Sequence, residues 1–131
     1  MRGRFWIATG GLLAALGVAA GAIGTHLLKE QWQASAAVLE TYDVAVRYQL
    51  YHALALVAVG LFIERTASRW LTAAGALHLG GIVLFSGGIY AWLAIGMKPF
   101  IHVVPIGGTC WIVGWILLAM GALTARAEAQ R

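Results

Sequence analysis

The sequence predicts an all-α fold, a four-helix transmembrane bundle with an amphipathic interfacial helix between helices 1 and 2. Of the 131 residues, 61% are hydrophobic and only 11% are charged, whereas a soluble domain carries about 25% charged residues. The mean hydropathy is +0.81. A helix crosses about 30 Å of hydrocarbon with about 20 apolar residues, and four stretches reach that length. This composition excludes a soluble enzyme, a disordered chain and a disulfide-stapled secreted domain.

We predict a single integral membrane domain over residues 1–131, with spans at about 5–28, 44–64, 70–97 and 103–123. The first stretch also resembles a cleaved signal peptide, because Arg2 and Arg4 precede an apolar run and Ala20 to Ala22 fits an A-x-A site. The apolar run continues past that site to Leu28. We therefore expect a retained helix.

The long polar connection, Lys29 to about Asp43, predicts the interfacial helix. Apolar residues recur there at spacings of three and four while polar residues face the other way, as in a helix lying on a membrane surface. Asp43 precedes Arg47 by four residues, the favourable order for a helical ion pair. After the third span, Gly96 to Pro99 breaks the helix, and Pro105 stands where the fourth span begins, a position that tolerates its missing N–H.

The distribution of basic residues predicts the topology. Cytoplasmic loops hold the excess of Lys and Arg. One side carries six such residues and the other three: Arg2, Arg4, Arg65, Arg69, Arg126 and Arg131 against Lys29, Arg47 and Lys98. Both termini are therefore expected in the cytoplasm. The basic residues are dispersed over the loops, so the net charge of +4 indicates topology and no nucleic-acid binding.

Small residues recur every seven positions in three of the spans. Transmembrane helices associate through small residues that let their backbones approach, and a seven-residue period keeps one seam facing a neighbour. This pattern predicts packing seams in a left-handed bundle. The residues expected to pack are Gly17, Gly24, Gly80, Gly87, Gly107 and Gly114.

Polar residues within the spans are expected at one level, in a layer near the outer face. Ionisable groups in lipid are costly, so they turn inward and pair or form a site. We predict that this layer contains His26, Arg47, Tyr48, Gln49, His52, Ser86 and Tyr90. Three interpretations remain open: hydrogen bonds that fix helix register, a haem iron held by His26 and His52, or a pocket for a quinone or lipid headgroup.

The remaining polar residues give no sign of catalysis. His78 is expected to stand apart in the cytoplasmic half of the third span as a hydrogen-bonded structural histidine, and Glu64 is expected to be solvated. The sequence has no metal-ligand spacing, nucleophile elbow, P-loop or dinucleotide fingerprint. We predict no catalytic residue, no metal and no cofactor, with haem or quinone bound through His26 and His52 as the alternative.

Four motifs in order resemble a known family. Gly21 to Leu27 is similar to a GAxGAH-type motif, with Thr25 where alanine is usual, and Arg47 to Ala55 resembles an RYQxYHALAL-type stretch. Phe85 to Tyr90 and Pro105 to Gly108, followed by Gly114 and Trp115, complete the order. These motifs resemble the small membrane proteins of domain of unknown function 423, the YgdD-like bacterial proteins, whose relatives include eukaryotic transmembrane protein 256.

The resemblance implies a four-span protein of the bacterial inner membrane and no established activity. The positions that it shares are Gly24, His26, Tyr48, Gln49, His52, Ser86, Gly87, Tyr90, Pro105, Gly107, Gly108, Gly114 and Trp115; His78 and His102 lie outside its motifs. The glycine seams and the small extramembrane mass favour an accessory, scaffold or assembly subunit. Its expected contacts are membrane lipid and either another membrane protein or further copies of itself.

Overall fold

The computed structural model describes residues 2–66, 68–96 and 99–129, and within these ranges it contains helices and no strand. The helices are α1 (Arg2–Ile23), α2 (Ala36–Arg65), α3 (Arg69–Gly81), α4 (Gly87–Ile95) and α5 (Pro99–Ala129). Two π-helical segments continue them, Gly24–Gln31 after α1 and Ile82–Ser86 between α3 and α4. Met97, Lys98 and Arg131, which entered the predicted boundaries and charge count, lie outside the described residues.

Four helical stretches are long and apolar enough to cross a membrane: Gly3–Gln31, Ala36–Arg65, Arg69–Ile95 and His102–Thr124. The predicted all-α fold with four spans is confirmed. Each stretch holds 23 to 30 residues, more than the about 20 that a bilayer core requires. The third span is continuous through α3, the π-helical turn and α4.

The predicted interfacial helix does not form a separate element. The first helical stretch continues to Gln31, and after a short connection α2 begins at Ala36 and runs unbroken to Arg65. The Ser35 hydroxyl accepts a hydrogen bond from the Val38 N–H at 3.4 Å and caps α2. An amphipathic surface helix and the first turns of a longer helix share one periodicity, so the pattern could not separate them. The second span consequently starts eight residues earlier than predicted.

Proline and glycine shape the connection between α4 and α5. Gly96 ends α4 in the left-handed region with φ of 73°, which favours glycine, and its N–H donates to the Trp92 carbonyl at 2.8 Å. This agrees with the predicted break. The fourth helix begins at Pro99, so Pro105 lies inside it and not at its start.

The helices pack in an open order. α1 lies along α2, α2 lies along α3, and α3 lies along α5, so α1 and α5 are the outer members. The core joins all four spans, and its buried side chains include Leu56, Leu71 and Trp111. α1 is additionally fixed at its start, because the Arg4 backbone N–H donates to the Glu64 carboxylate at 3.1 Å. Glu64, expected to be merely solvated, therefore holds the end of a neighbouring helix.

The glycines of the first and fourth spans lie at close helix contacts. A Cβ added at Gly17 would lie 2.8 Å from Leu50, and one added at Gly24 would lie 2.9 Å from Tyr42. One at Gly107 would lie 2.6 Å from the Phe85 backbone nitrogen, and one at Gly114 would meet the His78 ring at 3.3 Å. Substitution at Gly107 would force the neighbouring backbone to move, whereas substitution at Gly17 or Gly24 would first displace the Leu50 or Tyr42 side chain.

In the third span, different glycines lie at helix contacts. A Cβ at Gly80 would meet nothing within 4 Å, and one at Gly87 would meet only a carbonyl of its own helix. Gly75 faces the Trp6 ring and Gly81 faces the Trp111 indole instead. The π-helical turn at Ile82–Ser86 inserts residues into the helical repeat. A seven-residue spacing across it therefore does not keep one face.

Candidate functional site

The predicted polar layer is divided between two faces of α2, and the first face is a hydrogen-bonded network. Gln49 is buried; its amide nitrogen donates to the Leu13 carbonyl at 2.9 Å, and its amide oxygen accepts from the Tyr90 hydroxyl at 3.0 Å. This side chain therefore connects α1, α2 and α4. Because both ends of the amide are paired, the contact fixes the relative position of three helices.

Two further hydroxyl groups extend this face. The Ser86 hydroxyl, fully buried at the end of the π-helical turn, donates to the Ala45 carbonyl at 2.8 Å. The Tyr42 hydroxyl donates to the Ala20 carbonyl at 2.9 Å. We call Tyr42, Gln49, Ser86 and Tyr90 the paired face. Each of its polar side chains has a partner, as buried polar groups in a membrane require.

His26 and Arg47 do not join the layer. His26 contacts Glu30 at 3.3 Å and Arg47 contacts Asp43 at 2.9 Å, with all four side chains exposed. The Asp43–Arg47 pair agrees with the predicted helical spacing, and it holds the guanidinium away from the interior. The prediction that these two residues enter the layer is wrong, because each has an exposed carboxylate one helical turn away.

His26 and His52 also lie at different depths. Gly24 packs against Tyr42, and Tyr42 precedes His52 by ten residues on α2. At about 1.5 Å per residue the two levels are about 15 Å apart. Ligands on one haem iron must lie on either side of the same metal, so this geometry does not allow His26 and His52 to share one.

The second face of α2 carries His52 in a stack of aromatic rings. Its imidazole lies parallel to the Trp111 indole, with ring centroids 3.8 Å apart and 4° between the planes. Its Nδ1 lies 2.8 Å from the Tyr48 carbonyl, and the Trp115 indole N–H donates to its Nε2 at 3.2 Å. A carbonyl only accepts and an indole only donates, so His52 is neutral with the proton on Nδ1. Neither ring nitrogen is free to bind another group.

His78 belongs to this second face, contrary to the prediction that it stands apart. Its ring centroid lies 5.5 Å from that of His52 and 4.9 Å from that of Trp115. It is fully buried, and neither ring nitrogen has a hydrogen-bond partner. The expectation of a hydrogen-bonded histidine is therefore also wrong. His52 lies thirteen residues before the end of α2 at Arg65, and His78 lies nine residues after the start of α3 at Arg69. The two rings are therefore at nearly one level, and the error was to assign His52 to the outer end of its span.

Two tryptophans that sequence reasoning did not place in this site complete it. Trp111 is buried, and its indole N–H donates to the His78 carbonyl at 3.2 Å. Trp111 and Trp115 lie nine and thirteen residues after the start of the fourth span at His102. Tryptophan is usual at membrane interfaces. Two tryptophans near the middle of a span are therefore unusual, and they were the sequence signal that could have indicated this site.

A cavity of about 690 Å³ lies beside this cluster, between α2 and α5. Small-molecule sites have volumes of about 300 to 1,000 Å³ and are mostly apolar with a few polar groups. The cavity fits both criteria. Its lining is Tyr48, Tyr51, His52, Phe85, Pro105, Gly108, Thr109, Trp111, Ile112 and Trp115.

The cavity offers hydroxyl groups and aromatic rings and no charged side chain. In the part of the chain that the structure describes, no group of three or more His, Cys, Asp or Glu residues is placed to hold a metal ion. The arrangement can therefore bind a ligand through ring stacking and hydrogen bonds. We call Tyr48, Tyr51, His52, Trp111 and Trp115 the cavity face.

The outer surface of α1 forms a second candidate site for contacts. Ala8, Gly11, Ala15 and Ala19 are exposed and lie three or four residues apart, on one side of the helix. We call these four residues the outer stripe. A Cβ added at Gly11 would meet nothing within 4 Å. The glycines that pack on α2, including Gly10 and Gly17, lie on the opposite side.

Comparison with known proteins assigns the family. The family described as "Protein of unknown function (DUF423)" matches residues 20–108, more than half of the chain. The chain belongs to the DUF423 family. This agrees with the resemblance carried by its four motifs. No solved structure matches this DUF423 chain.

Relatives cover nearly the whole DUF423 chain. A UPF0382 membrane protein of Staphylococcus saprophyticus is 37% identical over 118 residues, covering 90% of this chain and 96% of the relative. One of Staphylococcus aureus is 38% identical over 115 residues, covering 88% and 92%. The inner membrane protein YgdD of Escherichia coli is 28% identical over 123 residues, covering 94% and 92%. With four apolar spans of its own, this chain is a small integral membrane protein.

Proposed function

We propose that this DUF423 protein is an accessory subunit that packs against a transmembrane helix of another membrane protein through the outer stripe of α1. The observation that carries the proposal is the exposure of Ala8, Gly11, Ala15 and Ala19 on one side of a helix whose other side is held by α2. Lipid and leucine side chains are equally apolar, so helices associate in membranes through small residues that allow close backbone contact. The outer stripe has that spacing.

The position of α1 in the fold also supports this role. α1 is an outer member of the bundle and packs mainly along α2. Its far side therefore faces lipid or a partner along most of its length. A partner helix on that side would extend the row of helices without displacing any internal contact.

A role as a haem subunit through His26 and His52 has no support from the geometry, because about 15 Å separates their levels along α2. His26 is also engaged with Glu30. Formation of a homo-oligomer through the same stripe is the competing outcome of the experiment below.

We also propose that the protein lies in the bacterial inner membrane with both termini in the cytoplasm. The contact between the Arg4 backbone and Glu64 supports a common end for the start of α1 and the end of α2. Arg4, Arg65 and Arg69 belong to that end, against Lys29 and the paired Arg47 at the other. Fusions of alkaline phosphatase and of a fluorescent protein to each terminus test this. Fluorescence at both ends is expected, and phosphatase activity at either end would contradict it.

The accessory role is tested by affinity purification from native membranes in a mild detergent. We expect a membrane protein to co-purify with the wild type and to be lost with the double substitution Gly11→Leu, Ala15→Leu. The matched control is Gly80→Leu, since a Cβ at Gly80 also meets nothing within 4 Å. The control should retain the partner.

Three outcomes would contradict this proposal. Purification of the wild type as a free monomer would show that it has no stable partner. Equal recovery of the partner with the double substitution would show that the outer stripe is not the contact surface. Recovery of only further copies of this chain, lost with the double substitution, replaces the accessory role by self-association. Melting temperatures of the variants in detergent verify that each is folded.

A further inference from the structure

A groove of about 320 Å³ lies between the end of the first span and the start of α2. Its polar side chains are Thr25, Lys29, Tyr42 and Asp43, and Gly21 and Val46 belong to its apolar part. None of the residues of the predicted polar layer lines it. The groove is also separate from the cavity between α2 and α5, with which it shares no lining residue.

The groove lies at the level of the phospholipid headgroups. At one end of the bundle Gly3 packs against Gly60 and Glu64, and at the other Gly24 packs against Tyr42. Gly24 follows Gly3 by 21 residues, a distance of about 30 Å at about 1.5 Å per residue, which is the thickness of the hydrocarbon layer. The two charged residues of the groove follow Gly24 by five positions and Tyr42 by one. They therefore lie beside headgroups and not among acyl chains.

Neither hydroxyl group of the groove is free to donate. The Thr25 hydroxyl donates to the Gly21 carbonyl at 3.3 Å, and the Tyr42 hydroxyl donates to the Ala20 carbonyl at 2.9 Å. Recognition of a ligand in the groove therefore depends on its two charged side chains.

Lys29 and Asp43 are exposed and have unused capacity for hydrogen bonds. Among the ion pairs of the described residues none includes Lys29, and an ammonium group has three N–H donors. Asp43 contacts Arg47 through one carboxylate oxygen, at 2.9 Å, and a carboxylate has about four acceptor positions. The groove thus offers donors to an anion and an acceptor to a cation, and the adjacent Arg47 gives it an excess of positive charge.

The deeper part of the groove is apolar. Gly21 precedes Gly24 by three residues and Val46 follows Tyr42 by four, so both lie on the hydrocarbon side of the charged groups. A Cβ added at Gly21 would lie 3.7 Å from Val46, so the glycine leaves room between the two helices. A phospholipid has the same order of groups, with charges at the surface and glycerol and acyl chains below.

We propose that this groove binds one phospholipid whose headgroup carries a phosphate and a primary ammonium. Lys29 donates hydrogen bonds to the phosphate oxygens, and Asp43 accepts a hydrogen bond from the ammonium. Hydrogen bonds between ionised groups are stronger than those between neutral groups. The apolar part of the groove holds the start of an acyl chain. The site is independent of the outer stripe, which lies on the side of α1 away from α2.

The two charged side chains discriminate among headgroups. A choline headgroup carries a quaternary ammonium without an N–H, so it cannot donate a hydrogen bond to Asp43. A glycerol headgroup carries the phosphate alone and leaves the Asp43 carboxylate beside a second anion. An ethanolamine headgroup pairs with both Lys29 and Asp43, so we expect the groove to prefer it.

Native mass spectrometry of the purified full chain in detergent tests the site. Delipidated protein is titrated with phosphatidylethanolamine, phosphatidylcholine or phosphatidylglycerol carrying the same acyl chains. The first phosphatidylethanolamine should bind at a concentration about tenfold lower than the other two lipids, the size expected for one charge-assisted hydrogen bond. Free phosphoethanolamine, which has the same charges and no acyl chain, should not displace it at an equal concentration.

Substitutions of the two charged residues should have different effects. Lys29→Gln should weaken binding of all three lipids about tenfold, because each of them contains the phosphate. Asp43→Asn should abolish the preference for phosphatidylethanolamine, and Arg47, without its counter-charge, should then favour phosphatidylglycerol. The matched controls are Arg69→Gln and Glu40→Gln, which remove exposed charges outside the groove and should leave lipid binding unchanged.

A third substitution tests the apolar part of the groove. Gly21→Leu should fill it and abolish binding of the first phosphatidylethanolamine. Because its Cβ would make only ordinary contact with Val46, the helices need not move. The matched control Gly80→Leu, at a position where a Cβ meets nothing within 4 Å, should bind the lipid as the wild type does.

Any of three results would overturn the proposal. Equal affinity for the three lipids would show only unspecific contact with the membrane. Unchanged binding by Lys29→Gln or by Gly21→Leu would place the lipid elsewhere on the protein. Displacement by free phosphoethanolamine would identify a site for a soluble phosphate compound. Melting temperatures in detergent without added lipid verify that each variant is folded.

Discussion

The two faces of α2 differ in whether their polar side chains have hydrogen-bond partners. On the paired face, Gln49 and Ser86 have hydrogen-bond partners on neighbouring helices. On the cavity face, Tyr48 and Tyr51 have none within the described residues, and His78 behind them has two buried nitrogens without partners. The first arrangement is what helix assembly in lipid requires. The second leaves polar groups available for a further component.

The difference follows from what each face packs against. The paired face meets α1 and α4, whose carbonyls and hydroxyl groups come close because glycines such as Gly17 admit them. The cavity face meets α5 across large rings, which keep the backbones apart and leave about 690 Å³ between the helices. Small residues therefore favour pairing and large rings favour a binding space.

The largest loss of stability is expected from breaking the paired face at its centre. Gln49→Leu removes the partner of the Tyr90 hydroxyl and one partner of the Leu13 carbonyl, and it leaves the hydroxyl buried and unpaired. We expect the free energy of unfolding to fall by about 2 kcal/mol. Reversible unfolding by SDS in mixed micelles measures it. A fall below about 0.5 kcal/mol would show that this network does not hold the helices together.

A smaller loss is expected when His52, whose two ring nitrogens are both paired on the cavity face, is changed. His52→Phe keeps a ring against Trp111 but leaves the Trp115 N–H without its acceptor. We expect a loss of about 1 kcal/mol. If the hydrogen bond is the cause, Trp115→Phe should cost nearly as much alone and little more in the double variant. Strict additivity in this cycle would contradict the assignment of the Nδ1–H tautomer.

The fold class could be predicted from the sequence because hydropathy and helix length decide it. Four apolar stretches predict four spans whatever their detailed packing, and the structure contains four helical stretches of that kind. The helix boundaries could be predicted less accurately. The polar residues Glu40 and Asp43 ended the apolar count, although they lie on the exposed side of a helix that begins at Ala36.

The candidate site was predicted only in part, and the reason is depth. Tyr48, Gln49 and His52 were assigned together to one layer at the outer end of the second span, although His52 lies thirteen residues before the other end of α2 at Arg65. From there His78 seemed a half-membrane away, whereas its ring lies 5.5 Å from that of His52. The facing glycines Gly75 and Gly81 are six residues apart, so the seven-residue repeat that predicted the packing seams does not include them.

In contrast to the losses expected at Gln49 and His52, substitution of His78 is expected to raise the free energy of unfolding. His78→Leu removes two buried nitrogens that have no partner, a gain of about 1 to 3 kcal/mol by the cost of such groups. It also loses the edge-on contact with Trp115, which is worth about 0.5 to 1.5 kcal/mol. We therefore expect a net increase in stability of about 1 kcal/mol in the same SDS titration. A clear decrease would show that the imidazole is paired in the membrane.

The smallest effect on stability is expected at Tyr48, and it separates the two faces most directly. Tyr48→Phe removes a hydroxyl that forms no hydrogen bond in the described structure and keeps the ring on Trp111, so the free energy of unfolding should change by less than about 0.5 kcal/mol. Tyr90→Phe removes a hydroxyl bonded to Gln49 and should cost more, about 1 kcal/mol. Equal effects of these two matched substitutions in SDS titration would mean that the Tyr48 hydroxyl also has an internal hydrogen-bond partner and that the two faces do not differ in pairing.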